Sequence, residues 1–170
     1  ATMDAEDFRD NELSTTGEAG GTVRIEHVDD DGTTTILKDG LTLLPGEVID
    51  STFMSKAALQ TFLRTQIAEA KESGVLLSLH LKATMMKVSD PIVFGHAVRT
   101  YFADVFDEFG ATFEELGLNP NEGLGSLLAG IEQLPETQKA PMLAAIAKGL
   151  EDGADLAMVD SDKGITNLHV

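Results

Sequence analysis

The sequence has no cysteine, few basic residues and no long apolar run, and each absence removes a class of function. Without cysteine there are no disulfides, no thiolate nucleophile and no cysteine-based zinc or iron–sulfur site. Twelve Lys and Arg face 29 Asp and Glu, a formal net charge of −17. A surface this negative repels nucleic-acid phosphates and anionic lipid headgroups, so neither nucleic acid nor a membrane is expected as a partner. The plain reading of the charge is solubility; adaptation to salt is the alternative. No segment approaches the roughly 20 apolar residues of a membrane span, and no basic-then-apolar leader opens the chain. Aromatics make up 5% of residues against 42% hydrophobic overall, so the core is expected to be mostly aliphatic. The length of 170 residues is enough for one compact domain. The chain opens on Ala1 and stops at Val170, inside an expected strand, and the expectation is a piece of a longer protein.

What is present is organised around Gly74 to Lys87. Alternation along a strand sends neighbouring side chains to opposite faces. Val75, Leu77, Leu79 and Leu81 then form one apolar face, while Leu76, Ser78, His80 and Lys82 form a face that grows more polar toward the carboxyl end. Ligands of open α/β sheets gather outside the carboxyl ends of strands, which makes Lys82 the leading candidate residue.

Residues 1–21, acidic and rich in Gly, Ser and Thr, are expected as a loosely ordered lead-in, with a single α/β domain over 22–170. Thr22–Val28 and Thr33–Lys38, joined by Asp29-Asp30-Asp31-Gly32, predict a hairpin. The aspartates do not make a calcium loop, because the positions for its glycine and bidentate glutamate hold Thr34 and Gly40. Asp39-Gly40 is expected as a further turn. A helix is expected over about Lys56 to Glu72, with Leu59, Phe62, Leu63, Ile67 and Ala70 on its apolar face and Gly74 as its stop. Asp90-Pro91 predicts the start of a second long helix reaching Phe109, with Asp90 as its cap. Shorter helices broken at Gly117, Pro120, Pro135 and Pro141 follow, then strands at Leu156–Val159 and Ile165–Val170 around a turn. This order argues for an α/β layered fold with a leading β-hairpin.

Several residues can carry chemistry. Lys82, with Lys87 close by, suits a general base or an anion contact, against the plain reading of a surface lysine. His80 reads first as a hydrogen-bonded core histidine, and Met85 and Met86 as gap-fillers. His96 and Arg99 could reach an anion or simply form a solvated helix face. Asp160 and Asp162 could hold a divalent metal, but two carboxylates without a third ligand also describe a turn. Gly123-Leu124-Gly125 with Gly130 imitates a dinucleotide fingerprint; its third glycine is misplaced and no strand precedes it.

The run from Ser78 to His96, centred on His80-Leu81-Lys82-Ala83-Thr84-Met85-Met86-Lys87-Val88-Ser89-Asp90-Pro91, resembles the signature of the monomeric NADP-dependent isocitrate dehydrogenases. Leu156 to Val170 and Gly46 to Lys56 resemble two further blocks of that family, in the same order. The resemblance implies an isocitrate/isopropylmalate dehydrogenase-like layered sheet with flanking helices, of which this chain is part of the large domain. It implies oxidative decarboxylation of isocitrate to 2-oxoglutarate with NADP and Mg²⁺ or Mn²⁺, in a monomeric, cytoplasmic enzyme of the tricarboxylic acid cycle and glyoxylate bypass. The family's substrate-side lysine falls on Lys82, in a catalytic and substrate-binding role. No residue here takes over the family's metal or NADP contacts, so Asp160 and Asp162 are not promoted to ligands. Family members are several times longer, and the isolated chain is expected to be inactive. The rival expectations are an acidic protein-interaction module derived from that enzyme and a small metal-binding domain built on Asp160 and Asp162.

Overall fold

The computed structural model describes residues 1–81 and 88–169. The chain divides into two compact units, Asp4–Ser55 and Lys56–Val170, the latter together with Ala1–Met3. Among the described residues it is a mixed α/β chain with five α-helices and three two-stranded antiparallel sheets.

The first unit is all β. Strands β1 (Leu13–Gly17) and β4 (Glu47–Ser51) pair in register from Leu13 opposite Ser51 to Gly17 opposite Glu47. Between them in sequence, β2 (Gly21–Val28) and β3 (Thr34–Leu43) form the expected hairpin. Its turn consumes the aspartates. Gly32, at φ +84°, gives its N–H to the Asp29 carbonyl at 2.8 Å, and Asp31 Oδ1 accepts the Thr33 N–H at 2.8 Å.

Two expectations change in this unit. Residues 13–17 were expected within the lead-in, yet they form β1; acidic, polar composition could not reveal that β4 supplies their ladder. Asp39-Gly40 is not a turn but a bulge inside β3. Val23 lies opposite Leu41 and Ile25 opposite Lys38, so both residues face Arg24, with Gly40 at φ +69°. The exposed side chains of Ile25, Ile36, Leu37 and Val48 give these strands little apolar burial.

The second unit holds the core. Helix α1 (Lys56–Ser73) buries Leu59, Leu63 and Ala70 on the expected face. It ends in a Schellman motif, with Gly74 at φ +63° donating to Lys71 and Val75 donating to the Ala70 carbonyl. The expected second helix is instead two, α2 (Ser89–Tyr101) and α3 (Ala103–Glu115), broken at Phe102. Tyr101 and Phe102 are both buried. Neighbours lie about 100° apart on a straight helix, so a bend lets both face the core. Their rings meet edge to face at 4.9 Å, and the Tyr101 hydroxyl donates to the Ala154 carbonyl at 2.6 Å.

A 3₁₀ turn (Pro120–Glu122), α4 (Gly123–Ile131) and α5 (Glu136–Asp152) follow. Helix α5 runs through Pro141 rather than starting after it. Strands β5 (Met158–Asp160) and β6 (Ile165–Thr166) form a short hairpin around Gly164. Val98, Ile131, Leu124, Phe113 and Leu127 form the centre of the core. That core is mainly aliphatic, as expected, with its aromatics gathered along α2 and α3.

Truncating the fully buried Ile131 to alanine is expected to cost about 2–5 kcal/mol, against under about 0.5 kcal/mol for Leu37→Ser on the exposed ribbon. Urea denaturation of both variants beside the wild type checks the contrast.

Candidate functional site

Residues 75–81 form no regular strand, and only Leu77 enters a ladder, as a parallel bridge to Leu156. Leu77 gives its N–H to the Asp155 carbonyl at 2.7 Å and accepts the Ala157 N–H at 2.8 Å. Asn167 completes the attachment. Its side-chain amide donates to the Leu79 carbonyl at 3.0 Å and to Ser78 Oγ at 3.3 Å, while its backbone N–H goes to the Ala157 carbonyl. The buried strand expected here is therefore an irregular segment tethered at Leu77, Ser78 and Leu79. Leu77, Leu79 and Leu81 pack partly buried against the core, whereas Val75 is exposed. His80 is also exposed rather than a core histidine.

At the carboxyl end of this segment lies a cavity of about 350 Å³. Leu79, Leu81, Phe94, Val159 and Ile165 supply most of its wall, and His80, Asp90, Asn121, Thr166 and Asn167 supply its polar groups. Asp90 is not the helix cap, since α2 begins one residue earlier with no side-chain cap. It sits in the first turn, 7% exposed, and among the described residues its Oδ2 has no hydrogen-bond partner; the same is true of the buried Asn167 Oδ1. Asn121 is held close over α2, where a Cβ added at Gly95 would lie 1.8 Å from Asn121 Oδ1.

Beside the cavity, His169 Nδ1 accepts the Thr166 N–H at 2.9 Å, a bond that requires neutral imidazole. Burial holds His169 below the usual histidine range, partly offset by the Thr166 carbonyl 3.2 Å from Nδ1. His96 is lowered too, first by burial and then by the charges of Lys56 and Arg99. Arg99 stacks over the Phe106 ring at 5.0 Å instead of lying free on a solvated face.

The glycines of the dinucleotide-like run serve packing. Leu124 and Gly125 give their amides to the Leu168 and His169 carbonyls, at 2.8 and 3.3 Å, which occupies the start of α4 where a phosphate would bind. Asp160 accepts the Lys163 backbone N–H at 3.3 Å and pairs with the Lys163 ammonium at 3.2 Å, so it serves the β5–β6 turn. Among the described residues no three His, Asp or Glu side chains gather as metal ligands.

Residues 1–170 match the family described as monomeric isocitrate dehydrogenase over their whole length. The chain belongs to the monomeric isocitrate dehydrogenase family. It is similar to the NADP isocitrate dehydrogenase of Corynebacterium glutamicum, 58% identical over all 170 residues. It is likewise similar to isocitrate dehydrogenase 2 of Colwellia maris at 51% and to the Azotobacter vinelandii enzyme at 46%, again over the whole chain. It spans 23% of the length of each of these relatives.

Of the residues picked from sequence, His80 and Asp90 come together at the cavity, while His96, Asp160 and Asp162 are not among its lining residues. Lys82, Lys87, Met85 and Met86 lie outside the described residues. Asn121, Thr166 and Asn167 were missed. Isolated asparagines and threonines carry no spacing signal, and only the folded contacts bring them to the cavity. No helix among the described residues is long and apolar enough to cross a membrane.

Both lowered histidines favour the neutral form in the fold, so the unfolded chain binds more protons below its ordinary pKa of 6.5. Stability from these groups is complete above that pH and is lost as the pH falls through it. The denaturation midpoint should therefore drop between about pH 7.5 and 5.5, and the His96→Gln, His169→Gln pair should flatten the drop. An identical drop in the double variant would assign the effect elsewhere.

Proposed function

We propose that this chain is a segment of an NADP-dependent isocitrate dehydrogenase, which oxidises isocitrate at C2 and releases CO₂ to give 2-oxoglutarate. The family match over residues 1–170 is the observation that carries this reading. Lys82 is the residue we assign to the reaction, as both catalytic and substrate-binding. Its amine exchanges a proton with the C2 oxygen, and its positive form attracts a substrate carboxylate. The cavity at the carboxyl end of the segment leading to His80-Leu81-Lys82 supports a ligand arriving from that side.

NADP⁺ supplies the hydride acceptor, and bound Mg²⁺ or Mn²⁺ offsets the negative charge that develops at C2. The described residues do not fit that metal by themselves: they present no group of three potential ligands, and Asp160 is tied to Lys163. The ligands, the NADP contacts and the remaining substrate contacts are placed on the rest of the enzyme. The β5–β6 ladder and the bridge at Leu77 are read as parts of a layered isocitrate/isopropylmalate dehydrogenase-like sheet, with this chain in the large domain. The parent enzyme is read as a cytoplasmic monomer.

The isolated chain mixed with isocitrate, Mn²⁺ and NADP⁺ should form no NADPH; steady turnover would sink the claim that the site is incomplete. In the full-length enzyme, Lys82→Met should lower kcat by about 10²–10⁴-fold, the usual contribution of a positioned acid–base group. A variant retaining near-normal kcat would remove Lys82 from the mechanism.

A further inference from the structure

Three aspartates are followed directly by glycine: Asp31-Gly32, Asp39-Gly40 and Asp152-Gly153. Glycine has no Cβ to shield its peptide nitrogen. That nitrogen can attack the carboxyl of the preceding aspartate when the acid is neutral, closing a cyclic imide. The fold treats the three pairs differently.

At Asp31-Gly32 both reacting groups are engaged elsewhere. Gly32 gives its N–H to the Asp29 carbonyl at 2.8 Å, and Asp31 Oδ1 accepts the Thr33 N–H at 2.8 Å. The bond from Thr33 holds the Asp31 carboxyl below its ordinary range, so it stays ionised. At the end of α5, Asp152 pairs with the Lys148 ammonium, whose hydrogen bond and charge lower it as well. The carbonyl of the Asp152–Gly153 peptide accepts the Lys71 ammonium at 2.5 Å, and Gly153 packs under the Tyr101 hydroxyl. Asp39-Gly40 is arranged the other way. The Gly40 N–H is turned onto the carboxyl of Asp39 itself, 2.8 Å from Oδ1. Both residues are exposed, and a Cβ added at Gly40, at φ +69°, would meet nothing within 4 Å.

We propose that Asp39 is a site of spontaneous isoaspartate formation, selected over Asp31 and Asp152 by the bulge in β3 that turns the Gly40 nitrogen onto its carboxyl. The nitrogen bonds to Cγ of the neutral acid, and its proton departs with the carboxyl hydroxyl as water, leaving a succinimide. Water then opens the ring. Cleavage of the new Cγ–N bond restores aspartate; cleavage of the original peptide bond leaves a backbone that runs through Cγ. One water is lost and one regained, so mass is unchanged and no other reactant is needed. The lengthened backbone falls where Asp39 and Gly40 already face Arg24 together, between the pairs Val23–Leu41 and Ile25–Lys38. The inference does not depend on the isocitrate reading.

Electron-transfer mass spectrometry distinguishes isoaspartate from aspartate by its backbone cleavage, and it reads all three sites in one sample. The 170-residue chain is aged at neutral pH in native buffer and, in parallel, in guanidinium chloride. In native buffer Asp39 should convert at least about tenfold faster than Asp31 or Asp152. In denaturant the three rates should converge, because the contacts that separate them are gone. Equal rates at the three sites in native buffer overturn the proposal, as does a native chain that forms no isoaspartate at Asp39. A preference for Asp39 that persists undiminished in denaturant also overturns it, since the bulge would then play no part.

Discussion

Leu77 and Leu156 share a parallel bridge, and the arrangement of the second unit depends on it. Through two short backbone hydrogen bonds it joins the segment that follows α1 to the segment that follows α5. Each segment is too short to form a sheet alone, and α1 and α5 bring the two together. Asn167 extends the link beyond the bridge by reaching the Leu79 carbonyl and Ser78. The carboxyl end of residues 75–81 is thereby set against β6 and the start of α2, and the cavity forms between them.

The core beneath this junction uses the chain's few aromatics with economy. Tyr101 and Phe102 sit where α2 gives way to α3, and Phe106 and Phe113 continue the contact edge to face at 5.5 Å. Tyr101 also ties the helix break to Ala154, next to the segment that carries Leu156. One bend in the helix thus serves both packing and the placement of the bridge. Gly123 contributes from the other side: at φ +83°, a Cβ there would lie 2.4 Å from the His169 carbonyl, so α4 can approach the β6 end closely only with glycine.

Membership of the monomeric isocitrate dehydrogenase family frames the chemistry, and the local geometry qualifies it. Asp160, one of two aspartates that might have been taken for metal ligands, is occupied in a turn, and the amides at the start of the glycine run that imitates a phosphate loop meet backbone carbonyls instead. Asp90, which sequence alone presents as a routine helix cap, is instead a buried carboxylate at a cavity wall. It shares that cavity with residues from β6 and the 3₁₀ turn.

Much of the chain was legible from local chemistry. The hairpin turn at Asp29–Gly32, the apolar face of α1, its glycine stop at Gly74 and the β5–β6 turn follow from residue types acting within a few positions of one another. The family blocks around Lys82 and at Leu156–Val170 were legible too, because long runs of specific residues are rarely shared by chance. What local chemistry could not supply were partners distant in sequence. The pairing of β1 with β4, the bulge at Asp39-Gly40, the break at Phe102 and the burial of Asp90 each depend on which surface lies opposite. Sequence by itself determined the turns at Asp29–Gly32 and around Gly164, the apolar face of α1 and the family. Tertiary structure alone decided which polar groups share a cavity, because the burial of a side chain belongs to its surroundings and not to the residue.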